Sequence, residues 1–349
     1  MKKVLLHSLF LVVIVIAFVK PVKAQDPASD PGAYIGAINA AETDMNKTYM
    51  AYISTAAHST RKRKIEKQRQ QTIESITNCK YKIIEQPIYK GDNSLRQSSI
   101  NYVQLCYKIF NEDYAHIVNM EDISEQSYDG MQAYLLLQEA TSDTLEAADQ
   151  RMQKAEEDFA AKYNVKLISQ KSELGDKMEA TGKLSRYHDK VYLLFFKCSW
   201  EDEQLTEAIN KKNVTNIEQT RSALDKYAIE GLATLDTLKA FENDPSLAVA
   251  CKQALAFYKK EAETEVPKIS DYFLKEENFE KIKQAMDAKG DQRTKQDVDT
   301  YNKAVNDMNA GVNKYNQTNN DLNSARGQVI KNWNDTEKSF LDTHTPYFK

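Results

Sequence analysis

Residues that interrupt helices are scarce in this sequence. Its 349 residues include ten glycines and seven prolines, and only three prolines fall between Pro31 and Pro346. Proline and glycine are the residues least compatible with a helix interior, whereas the abundant Ala, Glu, Lys, Gln and Leu favour one. The sequence therefore predicts an all-α protein with few strands or none. We expect an elongated antiparallel bundle of about six to eight helices, several of them long.

Common enzyme motifs are also missing. The chain has no Gly-x-Ser-x-Gly elbow, no Gly-x-x-x-x-Gly-Lys phosphate loop and no Cys-x-x-Cys pair, so serine hydrolase, phosphate-loop, redox and zinc motifs are not indicated. Acidic runs such as Glu201-Asp202 and residues 156–158 are interpreted as solvated helix faces. We predict no catalytic residues, no cofactor and no cofactor-binding residues, and a protein that is not an enzyme.

The N-terminal segment has the three parts of an export signal. Two lysines at positions 2 and 3 precede an unbroken apolar run at residues 9–19, and residues 22–24 fit a small-residue cleavage site. An uncleaved anchor would need about 20 apolar residues. We therefore expect residues 1–24 to be a cleaved signal peptide, which leaves no transmembrane anchor. Because the next residue is Gln25 and not cysteine, a bacterial lipid attachment is not expected.

The charge balance is acidic. The formal net charge of the chain is −4, and removal of residues 1–24, with four lysines and no acid, changes it to −8. Non-specific nucleic-acid binding depends on positive surface charge, so no nucleic-acid partner is expected. The basic run TRKRKIEKQRQQ, residues 60–71, surrounds a helix instead of lining one face, and Glu66 can pair with Arg69 at helical spacing. We interpret this run as a solvated turn, at most a contact for an acidic envelope surface.

The clearest helical pattern lies near the C-terminus, where residues recur at alternating steps of four and three. Its members are Tyr301, Val305, Met308, Val312, Tyr315, Asn319, Leu322, Arg326, Val329 and Trp333. This spacing is heptad-like, and the polar residues Asn319 and Arg326 interrupt it. We predict one long amphipathic helix in an antiparallel bundle. A free coiled-coil dimer is the alternative, which the imperfect seam disfavours.

The mature chain is predicted to be a single helical domain, residues 25–349, with two possible halves at 25–170 and 183–349. Between them, KSELGDKMEATGK at residues 171–183 carries two glycines and is interpreted as a loop. An internal duplication of the halves is compatible with the alternation of long helices. No shared motif establishes it from the sequence.

Four cysteines allow three disulfide connectivities. Cys79 and Cys106 flank the turn predicted at residues 87–94 at similar distances, so antiparallel helices would bring them roughly level. This pair is the disulfide candidate, since an oxidising compartment favours pairing. A count along the helices places Cys198 and Cys251 at different positions along the helix axis, because each residue of mismatch shifts the position by about 1.5 Å. The alternative is that all four are small core residues.

The metal candidates centre on His116. Asp113 and Glu112 lie three and four residues before it, on the same face of a helix, a geometry that could share a metal ion. Bundles that bind two metals use paired Glu-x-x-His motifs, and here one Asp-x-x-His stands alone. The alternative is a surface histidine with acidic neighbours. His188, flanked by charged residues, is interpreted as exposed.

The export signal ending in Ala24-Gln25, the length of about 350 residues and the helical body rich in tyrosine and asparagine resemble an uncharacterised family of exported bacterial helical surface proteins. The layout is also similar to helical bacterial lipoproteins of unknown function, without their lipid-bearing cysteine. The resemblance implies an exported, helical, non-enzymatic protein and supplies no functional residues. We expect a structural or interaction component of the bacterial envelope or surface, periplasmic or on the cell surface, with another envelope or surface protein as its partner. The alternative is a bundle that binds a small ligand or a metal.

Overall fold

The computed structural model describes residues 27–113, 127–168 and 172–348. In these ranges the chain is largely helical and forms no strand. The only β pairing among them consists of two isolated bridges, Tyr89 with Asp92 and Phe241 with Asp244. The predicted all-α bundle is therefore confirmed.

The described helices are numbered in chain order. The first are α1 (Pro31–His58), α2 (Lys62–Glu85), α3 (Ser94–Tyr107), the π-helical segment π1 (Lys108–Asp113) and α4 (Tyr128–Lys162). The others are α5 (Glu173–Asn210), α6 (Val214–Thr237), α7 (Ser246–Lys260), π2 (Glu261–Glu265), α8 (Val266–Ala288) and α9 (Lys295–His344). Side chains cap several N-termini: Asp30 accepts from the Ala33 amide at 2.6 Å and Ser127 from the Gly130 amide at 2.9 Å. Such caps satisfy amide groups that have no partner within the helix.

The chain divides into two compact units. Unit 1 contains the residues up to Asp189 and those from Leu341 onwards, and unit 2 is Lys190–Phe340. The loop expected at residues 171–183 is wrong, because α5 begins at Glu173 and continues through both glycines. Ser172 accepts the amide hydrogen of Gly175 at 3.0 Å, and acidic residues occupy the first turn. Both features favour the start of a helix.

Unit 1 packs α2 against α1 and α3, and α3 against α4. Aromatic rings fill one end of its core. The ring centroids of Tyr34 and Tyr89 lie 5.3 Å apart, and each lies 5.4 Å from Phe159. All three residues are buried, so α1, α4 and the turn before α3 meet at this aromatic cluster.

Unit 2 packs α6 against α7 and α8. Phe195 stacks on Trp333 with ring centroids 4.2 Å apart and planes at 10°. A methyl group at Gly231 would lie 2.3 Å from Leu255 Cδ2, so the α6–α7 contact depends on this glycine. The predicted long C-terminal helix is confirmed as α9, whose Leu322 and Trp333 are buried.

The two units repeat one order of elements. In unit 1 the order is α2, a turn, α3 and π1, and in unit 2 it is α6, a turn, α7 and π2. Corresponding residues of the two series differ by one constant number of positions. This difference is the one between Ser94, where α3 begins, and Ser246, where α7 begins. The same difference relates the first residues of α2 and α6, the last residues of π1 and π2, and the last residues of α1 and α5. We call residues that are related by this difference equivalent.

The turns before α3 and α7 match in detail. Tyr89 bridges to Asp92 in one, and Phe241 bridges to Asp244 in the other. The two residues inside each turn have positive φ, between 48° and 81°. Each aspartate accepts the amide hydrogen of the serine two positions later, at 2.9 and 2.8 Å. Both turns share the pattern aromatic-x-x-Asp-x-Ser-Leu.

An arginine in each unit reaches the π-helical segment. Arg69 of α2 donates from Nε to Glu66 at 2.9 Å, as the spacing predicted, and from Nη1 to the Phe110 carbonyl at 3.3 Å. The equivalent residue of α6, Arg221, donates to the glutamate three positions before it at 2.8 Å and to a π2 carbonyl at 3.4 Å. The π-helical segments are thus held by equivalent contacts in both units.

Candidate functional site

Only part of the predicted metal site lies among the residues that the structure describes. His116 lies outside the described residues, and so do the side chains of Glu112 and Asp113, whose backbone ends π1. The metal hypothesis for these three residues stays a prediction. Within the part of the chain that the structure describes, no group of three or more His, Cys, Asp or Glu could hold a metal ion.

A buried polar layer crosses the core of unit 1. Helices α1, α3 and α4 supply its side chains, each 8% exposed or less: Asn39, Glu42, Asn46, Ser99, Tyr102, Asp149 and Glu156. The solvated face predicted for Glu156 is wrong, because its Oε1 accepts from Asn39 Nδ2 at 2.9 Å. The partner comes from a facing helix, so the pattern along α4 alone does not reveal it.

Several atoms of this polar layer have no hydrogen-bond partner among the described residues. They include Glu42 Oε1, both amide atoms of Asn46 and Asp149 Oδ1. Asp149 Oδ2, in contrast, accepts from Gln153 at 2.7 Å. Because an unpartnered buried polar group costs about 1–3 kcal/mol, such a cluster is unusual in a packed core and calls for a chemical explanation.

Burial changes the ionisation of these carboxyl groups. Removal from water raises the pKa of Glu42 to about 8, and the charges of Glu156 and Asp149 add to the effect. Burial likewise raises the pKa of Asp149 to about 8, and the hydrogen bond from Gln153 only partly offsets it. Burial thus favours the protonated form of both carboxyls at neutral pH, and the polar layer holds protons that it can release at alkaline pH.

Unit 2 buries carboxylates in a different way. Arg326 of α9 donates from Nε to Asp202 at 2.8 Å and from Nη2 to Glu261 in π2. The side chains of all three are at most 11% exposed. The predicted solvated face at Glu201-Asp202 is therefore wrong, because α9 supplies a guanidinium that pairs with Asp202. Unit 2 thus contains an ion triad: Asp202, Glu261 and Arg326. Burial, followed by the charge of Asp202, raises the pKa of Glu261 to about 8, although Arg326 partly offsets the effect.

The polar layer of unit 1 and the ion triad of unit 2 do not lie at equivalent positions. Asp202 and Glu261 of the ion triad are equivalent to Met50 and Ile109 of unit 1, which are buried and apolar. Conversely, Asn46 and Ser99 of the polar layer are equivalent to Cys198 and Cys251 in unit 2. Since each unit folds with apolar or thiol side chains where the other has polar ones, the shared fold itself requires neither arrangement.

All four cysteines are buried, free thiols. The candidate bridge between Cys79 and Cys106 is not formed, although Cys106 contributes to the raised pKa of Cys79, after burial and Glu42. Cys198 likewise contributes to the raised pKa of Cys251, for which burial is the main cause. Thiols with raised pKa values are poor nucleophiles, so these cysteines act as core residues in this state. Oxidation of Cys79 and Cys106 to a disulfide stays a prediction.

His188 is 8% exposed, so its predicted exposure is wrong. The ring Nδ1 lies 3.1 Å from Asp189 Oδ1. The charged residues that flank His188 led to the prediction of exposure. The packing of α5, which those neighbours do not reveal, determines that His188 faces the core.

An apolar strip lies on the surface of unit 1. Tyr81 and Ile84 on α2 and Ile88 just after it are 59%, 39% and 53% exposed. A groove of about 320 Å³ between α1 and α2 borders the strip at Tyr81 and Lys82. The equivalent positions in unit 2, residues 233, 236 and 240, are Ala, Asp and Ala. The fold therefore tolerates small or charged side chains where the apolar strip exposes large apolar ones.

Comparison with known proteins finds no matching family model, no curated protein and no solved structure. Among the described helices, none combines the length and the apolar character that crossing a membrane requires.

Proposed function

We propose that this protein is an exported, non-enzymatic helical protein that acts as a structural or interaction component of the bacterial envelope or surface. Its partner in this proposal is another envelope or surface protein. The N-terminal signal pattern and the absence of catalytic motifs support export and a non-enzymatic role. The helical bundle of the described residues is consistent with both.

The apolar strip is the observation that carries the interaction role. Three large apolar side chains stand in water at Tyr81, Ile84 and Ile88, a cost that the fold does not impose, since the equivalent positions of unit 2 are Ala233, Asp236 and Ala240. Clustered exposed apolar side chains are typical of contact surfaces, and tyrosine is enriched at interface cores. The strip therefore favours a protein partner on this face of unit 1.

Site-specific photo-crosslinking on intact cells tests this proposal. A photoreactive amino acid is placed at Tyr81 in one variant and at Ala233 in the matched control. We expect one discrete crosslinked product from position 81 and none from position 233. Equal products from both positions, or none from position 81, would contradict the proposal.

The second candidate is a bundle that binds a small ligand or metal, and the polar layer of unit 1 favours it. Unpartnered buried polar atoms are often satisfied by a bound molecule or ion. Native mass spectrometry and elemental analysis of the mature protein, purified without denaturation, test this alternative. A stoichiometric ligand that is lost in Glu42→Gln would support it, and a bare protein would argue against it.

A further inference from the structure

Residues 345–348 lie against α1 within unit 1. We call residues 345–348 the C-terminal strap. The Phe348 amide donates to Ser54 Oγ at 3.0 Å, and the Tyr347 ring stacks on His58 with centroids 3.6 Å apart and planes at 6°. Lys177 Nζ of α5 lies 5.4 Å above the Phe348 ring. Backbone, ring and charge contacts thus hold the strap in place.

His58 is the centre of this contact, because both of its ring nitrogens have a partner. Nε2 lies 3.1 Å from the Thr345 carbonyl oxygen, and Nδ1 lies 2.7 Å from Asp342 Oδ1. A carbonyl oxygen only accepts hydrogen bonds, and so does an ionised carboxylate. For both nitrogens to donate at once, the imidazole must be doubly protonated and cationic.

The surroundings of His58 are consistent with a positive charge. The residue ends α1, where the free carbonyl groups of the last turn favour a cation. Asp342 of α9 supplies a carboxylate, and the face of Tyr347 supplies a cation–π contact. The nearby cation of α5, Lys177, lies over Phe348 and pairs with Glu173 at 2.6 Å. Its charge is therefore largely compensated.

We propose that His58 is a pH-dependent lock for the C-terminal strap. When the imidazole is charged, both hydrogen bonds form and the strap is closed. A neutral imidazole has one N–H, so one nitrogen must present a lone pair to an oxygen atom, and that contact changes from a bond to a repulsion. Loss of the proton therefore opens the strap.

Opening would remove one lining residue, Phe348, from a groove of unit 1. The groove of about 570 Å³ runs beside Phe348 and is otherwise lined by Lys47, Thr48, Ala51, Gln68 and Gln71 of α1 and α2. This groove shares no lining residue with the apolar strip at Tyr81, Ile84 and Ile88. A test of the pH-dependent lock is therefore independent of the test of the proposed function.

Hydrogen exchange of the full mature chain, followed by mass spectrometry, tests the lock. The readout is the protection factor of the C-terminal peptide, with the Phe348 amide as reporter, corrected for the intrinsic pH dependence of exchange. Exchange is measured at pH 5.5 and at pH 8.5, which compares an acidic with an alkaline solution. We expect protection to fall about tenfold or more between these values, the effect of one charge-assisted hydrogen bond. Equal protection at both values would overturn the proposal.

Two variants distinguish the lock from a merely structural contact. His58→Gln should show low protection at both pH values. Asp342→Asn is the sharpest variant, because its amide can donate to an unprotonated Nδ1 and let neutral His58 keep both bonds. The pH response should therefore flatten in Asp342→Asn. A full wild-type response in His58→Gln or in Asp342→Asn would refute the lock, and circular dichroism verifies that each variant is folded.

Discussion

Arg69 and Arg221 are equivalent residues of the two units and make the same two contacts. Each binds the glutamate three positions earlier and a backbone carbonyl 41 residues later, in the π-helical segment of its own unit. Carbonyl groups in π-helical segments depart from the usual helical pairing, and an arginine donor stabilises them. The helix–turn–helix parts of the two units are therefore repeats of one structural motif.

Removal of either arginine should destabilise the protein. Arg69→Ala and Arg221→Ala each lose a hydrogen bond to a partly buried carbonyl, so we expect a decrease of about 1–2 kcal/mol in the free energy of unfolding. Urea denaturation followed by circular dichroism measures the change. Lys67→Ala, at an exposed position of α2, serves as the control and should change stability by less than about 0.5 kcal/mol. Arginine variants no less stable than this control would contradict the structural role.

Close packing at Gly231 predicts opposite effects for two glycine substitutions. Gly231→Ala places a methyl group 2.3 Å from Leu255 Cδ2, and the resulting overpacking should cost about 1–3 kcal/mol. Gly327→Ala in α9 meets nothing within 4 Å and should stabilise by roughly 0.4–1 kcal/mol, because alanine restricts the unfolded chain. Thermal denaturation of both variants checks the pair. A neutral Gly231→Ala would disprove the close approach of α6 and α7.

The polar layer predicts that stability falls with rising pH. The pKa values of Glu42 and Asp149 are raised to about 8 in the folded state, so folding retains protons that the unfolded chain releases near pH 4. Their contribution is complete below about pH 4 and decreases as pH rises to about 8. Denaturation midpoints of Glu42→Gln should therefore vary less between pH 5 and pH 8 than those of the wild type. An identical pH profile would show that Glu42 titrates normally.

The ion triad of unit 2 predicts a non-additive response. Arg326→Met leaves Asp202 and Glu261 buried without a cation, which should cost about 3–5 kcal/mol. The triple variant Asp202→Met, Glu261→Ile, Arg326→Met replaces the two acids with the residues of the equivalent unit 1 positions, Met50 and Ile109. It should regain most of the loss, since a buried ion triad is often no more stable than packed apolar residues. Equal stability of the two variants in urea denaturation would contradict this prediction.

Local patterns in the sequence are sufficient to predict the helices. They are insufficient to predict which polar side chains are buried. The periodic residues from Tyr301 to Trp333 define one face of α9, because helix periodicity is a local property. The burial of Glu156 and Asp202 depends on Asn39 and Arg326, which lie 117 and 124 residues away. No local pattern contains that information, so acidic runs looked solvated.

The sequence carries one signal for the internal repeat that helical periodicity does not detect. The pattern aromatic-x-x-Asp-x-Ser-Leu occurs at Tyr89 and again at Phe241, in a turn whose aspartate accepts the serine amide. The glycines of residues 171–183 are weaker breakers than expected, because helix interiors accept single glycines at a cost of about 1 kcal/mol. Turn chemistry compared across the whole chain is therefore more informative here than glycine content.

The central claim is that the apolar strip of unit 1 binds a protein partner, and one crosslinking measurement tests it most directly. A photoreactive amino acid at Ile88 reports the partner in intact cells, with and without the substitution Ile84→Asp. The equivalent position in unit 2 is already Asp236, so this charge should leave the fold intact while it disrupts an apolar interface. We predict a discrete crosslinked product that is lost in Ile84→Asp. The same product at undiminished yield in a folded Ile84→Asp variant would contradict the claim.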